Sequence, residues 1–280
     1  MTATQLFIGV VSYEHTRFPI SQGAEGLGHL LTQHINDRYQ VQTILHVNAT
    51  DISTSTVKIN RSSVQRSLTA ELHAEARYTR YLARPQHVKN AMRMSARWAR
   101  RLQQVFQSPS PSSISRLLNI EASHLDLMRR GLDSDAEYIL ILEDDAFCDN
   151  VSELAQGLVA VIQGTENPTL INLSASFSIN ELGVDHLLHP DAAHGWQGTD
   201  SRSVFVSEKP ITNTVCAIAY SREFLVPLLA ELESLPEEPV LPIDWKLNVA
   251  LMNQYEAGDM GTGNCWWIEP APIKQMSMHQ

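Results

Sequence analysis

The residues best suited to chemistry are three consecutive acids, Glu143, Asp144 and Asp145, at the end of the segment 137–142, which is apolar from Tyr138 onward. Such a run predicts a buried strand, and ligands of open α/β sheets bind where parallel strands end. Carboxylates crowded at that edge repel one another unless a cation lies between them, and their hard oxygens suit Mg²⁺ or Mn²⁺. Because side chains alternate along an extended chain, we expect Glu143 and Asp145 to share a side. The alternative is a solvated acidic loop with one carboxylate capping the next helix.

A fourth acid, Asp244, lies in the sequence PIDW at the start of a helix predicted over 242–255. A carboxylate beside the indole of Trp245, in a partly dry pocket, has the character of a general base. The alternative is structural, because an acid in the first turn of a helix interacts favourably with the helix dipole.

Glu121 lies inside the apolar stripe of a helix predicted over 114–132, and His124 lies at the edge of that stripe. Burying a glutamate without a partner is costly. Glu121 is therefore expected either to belong to a functional network or to form an ordinary ion pair.

Four histidines in predicted loops or in the C-terminal tail could complete a metal shell, although each is more often plain surface. They are His186, His189, His194 and His279. His279 is the favoured ligand, because a mobile tail can close over bound phosphates and exclude water.

The segments that must position these residues alternate between strand and helix patterns. Strands are predicted over 5–13, 39–47, 137–142, 169–173, 211–220 and 265–268, and helices over 23–37, 114–132, 151–163, 221–233 and 242–255. The polar stretch 174–210 is predicted as a long excursion with one hairpin. The alternation is typical of an α/β fold with a mostly parallel sheet flanked by helices. We expect all 280 residues to form a single domain.

Basic residues are concentrated in one segment. Residues 61–107 contain ten Lys or Arg and two acids, which leaves 11 of the 21 bases and 29 of the 31 acids elsewhere. The segment is predicted as an insertion of two amphipathic helices, separated near Pro85, with cationic outer faces. Those faces could dock on an anionic membrane surface or a phosphorylated acceptor, or they could form a solvated hairpin or an oligomer contact. An acidic protein with one basic segment is not typical of a general nucleic-acid binder.

Composition and missing motifs disfavour several classes of protein. Hydrophobic residues are 43% and only three cysteines occur, which argues against a disordered chain, a disulfide framework or a four-thiolate zinc site. No apolar run reaches the roughly 18 residues of a membrane span, and the N-terminal sequence lacks the basic start of a signal peptide. We therefore expect a cytoplasmic location, with peripheral contact at the inner membrane face through the basic helices.

The sequence also lacks the motifs of several common enzyme classes. GxSxG, HExxH, CxxC and the dinucleotide fingerprint do not occur. Serine hydrolases, zincins and nicotinamide enzymes are accordingly disfavoured.

Several segments together resemble glycosyltransferase family 25, the lipopolysaccharide-type glycosyltransferases. The stretch IEASHLDLMRRGLDSDAEYILILEDDAF (120–147) is similar to the family's central block, in which a helix with Ser-His precedes an aliphatic strand that ends in Glu-Asp-Asp. Three later segments of the chain are also similar to parts of this family: 213–232, the PID of 242–244, and 269–277. The resemblance spans roughly residues 114–277. The opening VVSYEHTRF lacks the family's dense basic pattern, and the two basic helices look like an added or enlarged segment.

This resemblance implies a GT-A fold that uses a nucleotide-diphosphate sugar and Mn²⁺ or Mg²⁺. Asp145 would be the chief metal ligand, and the metal would neutralise the diphosphate leaving group. Asp244 would deprotonate the acceptor hydroxyl, with inversion at the anomeric carbon. The acceptor would be a glycan or a lipid-linked or phosphorylated molecule, in cell-envelope glycan biosynthesis. The cofactor-binding set predicted in this way is Arg17, Glu121, His124, Glu143 and Asp144, and the metal set is Glu143, Asp145 and His279.

Two other functions use the same features. A nucleotidyltransferase or a phosphohydrolase would employ the same acids and metal. A catalytically inactive module that binds nucleotide sugars would keep the fold without turnover, because a fold does not fix a function.

Overall fold

The computed structural model describes residues 4–12, 23–48, 61–82, 99, 111–164, 168–174, 178–190, 196, 202–207, 209–212, 214–258 and 265–276. Among them are ten strands and seven α-helices. The strands are β1 (Thr4–Val11), β2 (Val41–Asn48), β3 (Tyr138–Leu142), β4 (Ala146–Phe147), β5 (Leu170–Asn172), β6 (His189–Pro190), β7 (Ser203–Ser207), β8 (Ala217–Ser221), β9 (Cys265–Glu269) and β10 (Lys274–Gln275). The helices are α1 (Ala24–Arg38), α2 (Arg61–Tyr81), α3 (Pro111–Asp133), α4 (Val151–Gln163), α5 (Ile179–Leu182), α6 (Arg222–Ser234) and α7 (Ile243–Ala257).

Eight of these strands form one mixed sheet in the order β2-β1-β3-β8-β5-β9-β7-β6. The strands β2, β1 and β3 are parallel neighbours, and so are β5 and β9. Between these two groups, β8 runs antiparallel to both β3 and β5. The predicted α/β fold, with a large sheet flanked by helices, is confirmed, but the sheet is mixed and not mostly parallel, since three of its neighbouring strand pairs are parallel and four are antiparallel. The antiparallel β8 was not predicted, and it brings its amino end to the edge where the parallel strands end.

Helices cover both faces of the sheet, which explains the continuous apolar run of β3. Tyr138, Leu140 and Leu142 pack with α1 and α4 on one side. Ile139 and Ile141 pack with α3, α6 and α7 on the other. A strand buried on both faces needs no polar positions, so its sequence is apolar throughout until it reaches the acids.

The basic segment follows the prediction only in part. In α2, Val64, Tyr78 and Leu82 are buried, as the amphipathic pattern predicts. Two arginines of its cationic face form ion pairs with acids elsewhere in the chain, Arg66 with Glu238 at 2.7 Å and Arg77 with Glu256 at 2.6 Å. The second predicted basic helix lies outside the described residues, except for position 99. Among the described helices, none is both long and apolar enough to cross a membrane.

Gly157 in α4 is packed directly against the indole of Trp196. A Cβ atom built on Gly157 would lie 2.1 Å from Trp196 Cε2. We expect Gly157→Ala to lower the free energy of unfolding by about 1–3 kcal/mol, because the ring or the helix must move. Urea denaturation measures the loss. The exposed neighbour offers a matched control, since Gln156→Ala should change stability by less than about 0.5 kcal/mol. Equal stability of Gly157→Ala and wild type would contradict this packing.

Candidate functional site

The acid triplet lies at the carboxyl end of β3 and is held there by backbone hydrogen bonds. Glu143 N donates to Cys216 O at 2.8 Å, and Ala146 N donates to Glu143 O at 2.9 Å. Met276 N donates to Asp145 O at 3.0 Å, which ties the triplet to the end of β10. Asp145 is buried, and Glu143 is half-buried. The triplet is therefore a fixed rim of the sheet and not a solvated loop.

None of the three acids caps the helix that follows them. The N-cap of α4 is Asn150, whose side-chain oxygen accepts from Glu153 N. The alternative in which an acid of the triplet caps this helix is thus wrong.

Glu143, Asp145 and Cys216 form a cluster that could hold a metal ion. One ligand atom of each lies within 4.8 Å of those of the other two, and in the described part of the chain this is the one such group of three. The Cys216 thiol donates to Asp145 Oδ1 at 3.6 Å. Glu143 and Asp145 lie together, as predicted, but they do so in the turn that follows β3 and not in an extended strand. Cys216 was not predicted, because its position depends on the antiparallel β8.

Helix α3 approaches this cluster from the side through His124. The imidazole is buried, and its Nε2 lies 3.3 Å from Glu143 Oε1. One turn earlier, Glu121 accepts a hydrogen bond from the buried ammonium of Lys246. Both residues were predicted to bind a cofactor, and the contacts that the structure gives them are with the protein.

Asp244 lies in the first turn of α7, about one hundred residues after the triplet. The pKa of its half-buried carboxyl is raised to about 6, first by burial and then by the negative charge of Glu143, while His124 acts in the opposite direction. Glu143 belongs to the acid triplet, and His124 contacts Glu143 from α3. The structure therefore brings Asp244 near enough to the triplet for the charge of Glu143 to act on it.

Asp144 differs from its two neighbours in the triplet. Its backbone oxygen accepts from Ala24 N at 3.3 Å, at the start of α1. Burial, followed by the charges of Asp145 and Glu143, raises the pKa of its carboxyl to about 6, and Arg116 opposes this shift. A region that disfavours added negative charge in this way favours a cation.

Asp244→Asn is expected to stabilise the protein at neutral pH by about 1–3 kcal/mol. The pKa of about 6 in the folded protein lies above the ordinary value of 3.8, so the folded state holds this proton more tightly than the unfolded chain. The free energy of unfolding therefore falls as the pH rises between these two pKa values. Asparagine cannot ionise and so avoids this loss. Urea titrations at several pH values measure the difference, which should vanish below about pH 4. A difference that does not change with pH would contradict this assignment.

In the described part of the chain, none of the remaining residues predicted to bind metal or nucleotide lies at the site. Arg17, His194 and His279 lie outside the described part of the chain. His186 donates to Leu82 O at 2.9 Å, and His189 is exposed in β6.

No protein-family model matches this chain, and no curated protein matches it. The site itself consists of two carboxylates and a thiol clustered at the edge of a sheet, with the carboxyl of Asp244 under the influence of the charge of Glu143.

Proposed function

We propose that this protein is a metal-dependent glycosyltransferase. It would move a sugar from a nucleotide-diphosphate sugar to a hydroxyl group of an acceptor, with inversion. The observation that carries this proposal is that Glu143, which clusters with Asp145 after the end of β3, also acts through its charge on the carboxyl of Asp244 from α7. The mixed α/β sheet also supports the finer proposal of a GT-A fold.

The ligand set fits a divalent cation. Asp145 and Glu143 would hold Mn²⁺ or Mg²⁺, and the ion would supply the positive charge that a diphosphate leaving group needs. These carboxylates lie close together in a site where the charge of Glu143 already raises the pKa of Asp144 and Asp244. A bound cation relieves that repulsion.

Asp244 would take the proton from the acceptor hydroxyl at its carboxylate oxygen. A pKa of about 6 keeps this group ionised at neutral pH, while leaving it more basic than an ordinary aspartate. His124 contacts Glu143 from the side of α3 and helps to hold its carboxylate in place.

Calorimetry with a panel of nucleotide sugars, with and without Mn²⁺, tests the proposal. Binding that requires Mn²⁺ is the expected result, and analysis of the products then defines the reaction. Release of a nucleoside diphosphate indicates glycosyl transfer, whereas sugar 1-phosphate or inorganic phosphate indicates a nucleotidyltransferase or a phosphohydrolase. Tight binding without turnover on any acceptor would instead favour an inactive binding module.

The acceptor is proposed from charge alone. A lipid-linked or phosphorylated acceptor, or an anionic membrane surface, would complement the basic segment of residues 61–107. Arg66 and Arg77 have acidic partners within the protein. Sedimentation with vesicles of increasing anionic lipid content tests the proposal, and binding that is indifferent to that content would contradict it.

A further inference from the structure

The buried ion pair between Lys246 and Glu121 lies beside the proposed chemistry without taking part in it. Lys246 Nζ donates to Glu121 Oε1 across 125 positions of sequence. The two side chains are only 6% and 12% exposed. Moving two charges out of water is costly, and apolar side chains of similar volume often stabilise a protein as well or better. A contribution to the stability of the protein therefore explains this ion pair poorly. A directional contact between two charges can instead fix the relative position of the two helices that carry them.

Both partners lie within one helical turn of residues in the candidate site. Glu121 precedes by one turn the His124 whose Nε2 contacts Glu143. Lys246 follows Asp244 by two residues in the first turn of α7. Helix α3 thus holds the metal-binding rim through one side chain and the start of α7 through another. The distance between rim and base depends on both contacts.

The start of α7 has particular need of such a contact. Its N-cap is Pro242, which makes no side-chain capping hydrogen bond. Lys246 N donates to Pro242 O at 2.9 Å and Asn248 Nδ2 donates to Asp244 O at 2.9 Å, but both bonds lie within the helix and its cap. First turns without a side-chain cap are the weakest part of a helix. The ion pair ties this turn to a neighbouring element.

We propose that Lys246, through its ion pair with Glu121, is a positioning residue that holds Asp244 beside Glu143. The inference rests on the proposed function for its catalytic meaning. It assigns Glu121 a partner within the protein, in place of the cofactor contact that the family resemblance implies.

The test compares the titration of Asp244 in two backgrounds. Glu121→Leu/Lys246→Met removes both charges and keeps the volumes close, which avoids leaving one charge buried alone. Urea unfolding is measured across pH for wild type, Asp244→Asn, the double variant and the triple variant. In the wild-type background the stabilisation made by Asp244→Asn should grow between about pH 4 and about pH 6, as argued above. In the double-variant background we expect this pH dependence to disappear, because a carboxyl that leaves its buried place has the same pKa in the folded and the unfolded protein.

An unchanged pH dependence in the double-variant background would overturn the proposal, because Asp244 would then keep its place without the pair. If the double variant fails to fold, Glu121→Gln/Lys246→Met gives the same readout with a smaller change at the half-buried partner. The matched control is Arg77→Met/Glu256→Gln, which removes the ion pair at the other end of α7 and should leave the pH dependence as it is in the wild-type background. This measurement uses neither metal nor nucleotide. A protein without glycosyl transfer would therefore still give a clear result for the positioning of Asp244.

Discussion

Asp145→Asn is expected to weaken Mn²⁺ binding by roughly 100-fold or more, since even partners of metal ligands contribute 10–100-fold. Asp145 is the buried acid of the triplet, and its Oδ1 lies 3.6 Å from Cys216 Sγ. Asparagine keeps the shape of the side chain and one oxygen, but it removes the charge that a divalent ion needs. Titration calorimetry with MnCl₂ measures the change directly.

The chain provides a closely matched control for this substitution. Asp149 lies four residues further on, is exposed, and forms its ion pair with Lys274 at the surface. Asp149→Asn changes the net charge by the same amount and should leave Mn²⁺ affinity nearly unchanged. Equal binding by Asp145→Asn and wild type would remove the metal site, and equal losses in both variants would reduce it to a general effect of charge.

The parts of this protein that could be predicted from sequence are those determined by local patterns. Every position of β3 within the predicted segment 137–142 is apolar, and both faces of β3 are buried. A short, continuous apolar run was therefore enough to predict a strand buried on both faces. The start of α7 was predicted within one residue, since proline is favoured at a helix start and cannot continue one from before. The closeness of Glu143 and Asp145 was predicted from strand alternation, but in the structure it comes from the turn that follows β3 and is closed by the bond from Ala146 N to Glu143 O.

The parts that could not be predicted depend on contacts between distant segments. The antiparallel β8 lies between β3 and β5, and nothing in its own five residues encodes its direction. The sequence prediction 211–220 began six residues too early, because the apolar residues before Ala217 are buried in loops and not in the strand. This misplacement hid Cys216, which lies at the rim only because β8 begins there. Lys246 was missed for a related reason: a lysine is usually exposed, and its burial depends on Glu121 in another helix.

Substitution of Asp244 by asparagine is expected to lower turnover by roughly 10²–10⁴-fold, the usual contribution of a general base. The substitution keeps the shape of the side chain, and its predicted effect on stability at neutral pH is favourable, so unfolding cannot explain the loss. Asp244 lies outside the Glu143, Asp145 and Cys216 cluster, and Mn²⁺ affinity should therefore persist.

The measurement is release of nucleoside diphosphate at saturating donor, using a nucleotide sugar that binds in calorimetry. Glu256→Gln, an exposed acid in the last turn of the same helix, is the control and should retain turnover. Full turnover by Asp244→Asn would show that another group accepts the proton. Weaker donor binding with unchanged turnover at saturation would make Asp244 a binding residue instead of a base.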